Sequence, residues 1–287
     1  VTATATSLPP DEAAAASPVR PRWWGEVAVI IWLCWVYDAV NNLAPMRQAA
    51  AYAHARSLLA LEHTLHIDPE AALNHWLAAH HGLSLWVSDY YDNAHFVVTL
   101  GLVGWLWWRR PAEYRPLRTS LVLINVIGLA VFWLYPLAPP RLLDPSRYPD
   151  VVASTHAFGS WHTGTLATAA NQLAAMPSLH IAWAAWSALA LWRILAGRRW
   201  AWLVWAYPAV TSVAVMATGN HYLLDVVAGA ATMVVATVIA DWFYSRRSAR
   251  VDQLEPVAET VVDVAAADAW TLVGPAEGHA GGGEPGQ

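Results

Sequence analysis

The chain contains no lysine, so all 16 of its basic residues are arginine. It has one cysteine, Cys34, which excludes an internal disulfide and leaves the redox compartment open. Charged side chains make up 13% of its 287 residues, where a soluble domain carries about a quarter. The formal net charge of -5 comes from an acidic excess after residue 250. No basic stripe exists outside short loops, which excludes nucleic acid as a partner. The first 21 residues lack the basic start and apolar core of a signal peptide and read as a disordered lead. No internal repeat is visible.

What fills the chain instead is apolar. Hydrophobic residues make up 57%, 19 are tryptophan, and the mean hydropathy is positive. These features predict an all-α, polytopic membrane protein. Six apolar runs, 27–44, 83–108, 119–137, 179–195, 200–217 and 221–243, approach the roughly 17–25 residues a membrane helix needs. Between the first two, Leu58, Leu61, Leu65, Leu73 and Leu77 recur at helical spacing among polar residues and predict interfacial amphipathic helices. A Pro- and Gly-bearing loop, 138–175, separates the third and fourth runs, and a loop that long is more often functional than idle. The expected organisation is a disordered segment at 1–22, a six-helix membrane domain at 23–248 and a disordered cytoplasmic tail at 249–287.

Arginine placement sets an orientation. Arg20, Arg22, Arg109, Arg110, Arg115, Arg118, Arg193, Arg198, Arg199, Arg246, Arg247 and Arg250 fall on one side of six alternating spans. Only Arg47, Arg56, Arg141 and Arg147 fall on the other. The positive-inside rule makes the first side cytoplasmic, with both termini, in a plasma membrane protein. His180, His221 and the Pro-rich loop then share the extracytoplasmic face. Two ionisable motifs stand there at the mouths of apolar runs, Met176-Pro177-Ser178-Leu179-His180 and Thr218-Gly219-Asn220-His221-Tyr222-Leu223-Leu224-Asp225. Charge at bilayer depth is costly and usually lines a functional cavity.

His221 and Asp225 are four apart and share a face on a helix. A carboxylate beside an imidazole fixes its tautomer and makes it a better nucleophile or base. Ser178 can cap a helix or offer its hydroxyl, and the free N–H groups of that first turn suit an anion. Arg141 is a permanently charged fork matched to phosphate oxygens. Nucleophile, orienting acid, second proton carrier in His180 and oxyanion cradle together suffice for phosphoryl transfer without a metal or other cofactor.

These residues carry a resemblance. Pro-Ser-Leu-His followed by His-x-x-x-Asp, with Arg141 upstream in a Pro-rich loop, resembles the type 2 phosphatidic acid phosphatase superfamily. The stretches 135–141, 175–180 and 218–222 are similar to its inositol phosphorylceramide synthase-like branch. The resemblance covers roughly residues 25–245. It implies His221 as the nucleophile forming a phosphohistidine, Asp225 as its partner, His180 as general acid, and Arg141 and Ser178 as phosphate ligands. It implies a lipid phosphate as substrate, with an alcohol such as inositol as acceptor in the transferase branch. The chain departs from the family pattern in three places. The lysine of the first motif is absent, Leu179 replaces glycine before the histidine, and Val215 stands six residues before His221 where the third motif has arginine. Asn220, His95 or Asn171 are candidates to compensate.

Other readings stay beside this one. A transporter or lipid-binding protein would use His180, His221 and Asp225 as a proton relay, and a metal-dependent hydrolase would use them as ligands. Asp92 and His95 are three apart and suit either substrate contact or a packing pair, with Asp89 structural. Glu62, His63, His66 and Asp68 have metal-like spacing but fit the polar face of an interfacial helix better. His75, His80 and His81 read as solvated. His156 and His162 read as loop residues beside the site. Asp38, Asn41 and Asn42 read as interfacial, and Asn125 as an interhelical hydrogen-bond partner.

Overall fold

The computed structural model describes residues 21–43, 47–155 and 172–273, with side chains described to residue 250 except at 41–43 and 249. The expected N-terminal lead, Asn171, His156, His162 and the end of the tail lie outside the described residues. Among those described, every regular element is helical, apart from an isolated parallel bridge between Leu137 and Ala174. In chain order they are α1 (Trp23–Leu43), α2 (Gln48–Leu65), α3 (Glu70–Ala78), α4 (His81–Arg109), α5 (Pro111–Leu134), α6 (Pro140–Leu143) and α7 (Val151–Thr155). Then come α8 (Leu179–Ile194), a 3-10 turn (Ala201–Trp205), α9 (Ala206–Ala217) and α10 (Leu223–Val273). The chain divides into two compact units, Val1–Ala240 and Asp241–Gln287. The second continues α10, which stays helical through Val273, past the point where the composition turns tail-like.

Among the described residues, three helices are long and apolar enough to cross a membrane: Trp23–Val40, Pro111–Leu134 and Leu223–Ser248. The other three expected spans are also helical but fall short of that measure. Polar Asp89, Asp92 and His95 break the apolar run of α4, and α8 has 16 residues. The run 200–217 is divided because Pro208 has no N–H to return to the Val204 carbonyl, so the chain enters α9 through a 3-10 turn. Large apolar side chains nevertheless point outward on α1, α4, α5, α9 and α10, among them Ile31, Val97, Leu134, Val210 and Val238. Helices apolar on both inner and outer faces suit a lipid surround, and the several apolar helices mark a membrane protein.

The core is built around α8. Its buried face is mostly alanine, at 182, 184, 185, 188 and 190, which lets neighbouring backbones approach. Trp186 is wholly buried, and its indole Nε1–H donates to the Leu117 carbonyl and to Ser120 Oγ, both at 3.0 Å. Thr99 and Ser187 hydroxyls pair α4 with α8 at 3.3 Å. On the other side, Gly229 of α10 lies so close to α8 that an added Cβ would collide with the Ser178 carbonyl. At the far end of the bundle, Glu26 of α1 accepts from Arg118 Nε at 2.7 Å and from the Tyr114 hydroxyl at 2.9 Å, pinning α1 to α5.

The stretch between the first two long helices is helical as expected, but a different stripe is buried. On α2 it is Ala51, Ala55, Leu58 and Glu62, while Leu61 and Leu65 face outward. On α3 it is Glu70, Asn74 and Leu77. Small residues bring α2 close to the loops around Leu137 and Tyr222, which form one cluster with it.

Gly229→Ala should lower the unfolding midpoint of the detergent-solubilised protein by the equivalent of about 1–3 kcal/mol, because neither backbone can yield. Gly101→Ala on α4, where an added Cβ meets nothing within 4 Å, should instead raise it by about 0.5–1 kcal/mol. Thermal melts of the two variants beside wild type check both signs.

Candidate active site

The site is assembled where α9 ends and α10 begins. At the end of α9, Gly219 takes φ +74, its N–H donates to the Met216 carbonyl at 2.9 Å, and the Asn220 N–H reaches back to the Val215 carbonyl at 3.2 Å. This is a Schellman ending, which favours glycine at the left-handed position. Val215 contributes its carbonyl to that turn, while its side chain is fully buried among apolar neighbours. The position therefore offers shape and no charge.

Tyr222 then stands as N-cap of α10, and Asp225 is the third helical residue. Asp225 Oδ2 accepts the Tyr222 N–H at 3.0 Å, the reach-back half of a capping box. The same oxygen lies 3.5 Å from His221 Nδ1. That is longer than a formed hydrogen bond, and such contacts commonly tighten when substrate binds. His221 therefore sits just outside the helix, not on its face, and the capping turn brings the pair together.

On the opposite side, Ser178 N–H donates to the Asp225 carbonyl at 3.1 Å, which locks the mouth of α8 to that of α10. Ser178 occupies the N-cap position of α8 but makes no side-chain cap. Its hydroxyl instead lies 3.4 Å from His221 Nε2. His180, the second residue of α8, stacks on Tyr91 with ring centres 4.5 Å apart. It meets His95 edge-on at 4.2 Å and lies 5.7 Å, centre to centre, from His221. The His95 Nδ1–H donates to the Tyr91 carbonyl at 3.1 Å, which leaves Nε2 as its basic nitrogen. Asp89 accepts from Asn93 at 3.0 Å on the exposed side of α4, apart from this cluster.

Arg141 enters from α6 with 5% of its surface exposed. Its backbone N–H donates to the Gly219 carbonyl at 3.0 Å. Its Nε–H donates to Asn220 Oδ1 at 2.7 Å, and the guanidinium tip pairs with Asp150 at 3.1 Å and reaches Gln172 at 3.4 Å. Asn220 thus orients the arginine directly. Arg141, Asn220, His180, His221 and His95 all border one cavity of about 620 Å³. It continues along α1, α4 and α5 between apolar walls that include Leu33, Leu100, Leu121 and Phe132, and it ends near Arg118. Asn125 borders it too, with its amide donating to the Leu121 carbonyl of its own helix at 2.8 Å and not across helices.

The carboxylates near residue 62 separate. His63 pairs with Asp68 at 3.1 Å, and Arg147 joins them. His66 takes the left-handed position that ends α2. His75 and His80 bond backbone carbonyls at 2.9 and 2.7 Å. Glu62 turns the other way, is fully buried, and accepts the Leu224 N–H at 2.7 Å. Burial, reinforced by contact with Glu70, pushes its carboxyl up to about 9. Glu70 is also fully buried and is raised by desolvation. Sequence spacing missed Glu62, Glu70, Asp150, Gln172 and Tyr91. For Glu62 a signal existed, since it continues the every-turn stripe of Ala51, Ala55 and Leu58.

A family model described as PAP2 superfamily matches residues 56–239, well over half of the chain. The crystal structure of LpxE from Aquifex aeolicus is similar over 60% of this chain and 91% of that chain, at 16% sequence identity and a TM-score of 0.41. No curated protein matches.

Asn220→Ala should strand the buried Nε–H of Arg141 and cost about 1–3 kcal/mol of stability, whereas Asn220→Asp keeps an acceptor and should lose less. Chemical denaturation of both variants in detergent measures the difference.

Proposed function

The chain belongs to the PAP2 superfamily, and from that premise we propose that it is an integral membrane phosphatase acting on a lipid-linked phosphate. The reading rests chiefly on one observation: His221 presents Nε2 toward Ser178 and the cavity while Nδ1 faces the buried Asp225. In the proposed reaction His221 Nε2 attacks phosphorus in line with the ester oxygen. Asp225 holds the proton on Nδ1 and balances the charge that forms on the ring. Arg141, fixed by Asn220 and Asp150, and the Ser178 hydroxyl face the phosphoryl oxygens. His180 gives a proton to the departing lipid alcohol, breaking the P–O bond and leaving a phosphohistidine. Deprotonated His180 then takes a proton from water, whose oxygen displaces the histidine and releases phosphate.

The missing family lysine and third-motif arginine leave Arg141 as the principal cation of this cradle. Stacking on Tyr91 and contact with His95 hold the His180 ring in one plane, so His95 supports the acid from the wall of the same cavity. The apolar arm of the cavity suits a long hydrocarbon tail, with the headgroup at the histidines. Six membrane-crossing helices, a 23–248 membrane domain, an extracytoplasmic site in the plasma membrane and cytoplasmic termini complete the proposal, on the strength of arginine placement. Transfer to an alcohol such as inositol, the reading suggested by the motif text, differs only in the second half of the cycle.

Purified protein should release phosphate from at least one of a panel of phosphatidic acid, phosphatidylglycerol phosphate and isoprenyl diphosphates. Activity should persist in EDTA and fall with vanadate. His221→Ala should reduce turnover to background, and His180→Ala should lose about 10²–10⁴-fold. Retained turnover in His221→Ala would overturn the mechanism. A phosphorylated alcohol formed on adding inositol would identify transfer instead of hydrolysis.

A further inference from the structure

Helix α10 has an incomplete cap of its own. In a capping box the N-cap side chain bonds an N–H of the first turn while the third residue reaches back to the N-cap N–H. Asp225 supplies the second bond, to Tyr222. Tyr222 is aromatic and has no short side-chain oxygen for the first. The Leu224 N–H is met by Glu62, from a helix about 160 residues earlier in the chain. Glu62 is wholly buried, as are Asp225 and Glu70. A charge there would face Asp225 and Tyr222 on the α10 side, Glu70 on α3 and Tyr148 after α6. The nearest cation among these groups, Arg147, is engaged with Asp68 and His63.

We propose that Glu62 is a positioning residue for the reaction: buried against the start of α10, it completes that helix's cap from outside and fixes Asp225 against His221. The proposal rests on His221 being the nucleophile. It explains a carboxyl group where an apolar residue would pack, because one oxygen accepts the Leu224 N–H. It also explains why ionisation is harmful. A further buried negative charge would repel Asp225 and draw it away from its place against His221.

Glu62→Gln keeps the acceptor and a donor and cannot ionise. Glu62→Met keeps length and burial and has no acceptor. Both are compared with wild type and His221→Ala as full-length protein in detergent micelles, on the most active lipid phosphate of the panel above. At pH 7 Glu62→Gln should keep near wild-type kcat, while Glu62→Met loses about 10- to 100-fold in kcat with little change in KM, the penalty of a displaced catalytic pair. The folded-state value for Glu62 is raised from 4.5 to about 9. Its contribution to stability is therefore complete below 4.5 and lost as pH climbs toward 9. Wild-type kcat should fall as pH rises through about 9, while the melting midpoint should decline between 4.5 and about 9 and level off above it; Glu62→Gln should lack both components. Unchanged kcat in Glu62→Met, or a loss in Glu62→Gln as large as in Glu62→Met, overturns the proposal. Activity surviving in His221→Ala, or no activity on any probe, overturns the parent reading instead. In that case the melts still decide whether Glu62 caps α10, since Glu62→Met must then melt below Glu62→Gln.

Discussion

One backbone hydrogen bond, from Ser178 N–H to the Asp225 carbonyl, joins two motifs that lie far apart in sequence. It requires α8 and α10 to touch at their mouths, and that contact exists because Gly229 has no side chain. Everything polar in the site is referenced to this junction. Ser178 takes its place beside His221, His180 follows two residues later, and Arg141 is tied to the preceding turn through the Gly219 carbonyl. Remove the close approach and the histidines belong to separate helices with nothing to fix their separation.

The polar groups are buried at a cost that is met locally. Arg141 is surrounded by Asn220, Asp150 and Gln172. The backbone groups left open by the end of α9 and the start of α10 are met by the Schellman turn, by Asp225 and by Glu62. An unmet donor or acceptor in a dry interior carries a penalty larger than the net gain from one formed bond.

Much of this was legible in the sequence because the two motifs begin apolar runs, and a polar residue at such a boundary has few structural explanations. The all-helical fold, the positions of the runs and the proximity of His180, His221, Asp225, Ser178 and Arg141 follow from that. Three things were hidden. Helix length was overstated for 200–217, because Pro208 acts on a carbonyl four residues back and leaves the hydropathy untouched. The buried stripe of α2 was misread, because leucines at 61 and 65 look like a core face while the alanines that make contact look neutral. Glu62 was grouped with its neighbours His63, His66 and Asp68, since spacing shows which residues share a side and not which side faces inward. His95 stood undecided between packing and chemistry, and its ring contact with His180 came only from the meeting of α4 and α8.

The shared oxygen of Asp225 has a consequence for how the molecule fails. Oδ2 terminates the backbone of the last helix and also faces the ring of His221. Starting the helix and placing a carboxylate beside His221 are thus one event. A chain that frays at this end loses that carboxylate from the ring at the same moment. Whatever the pair does waits until α10 has closed its first turn.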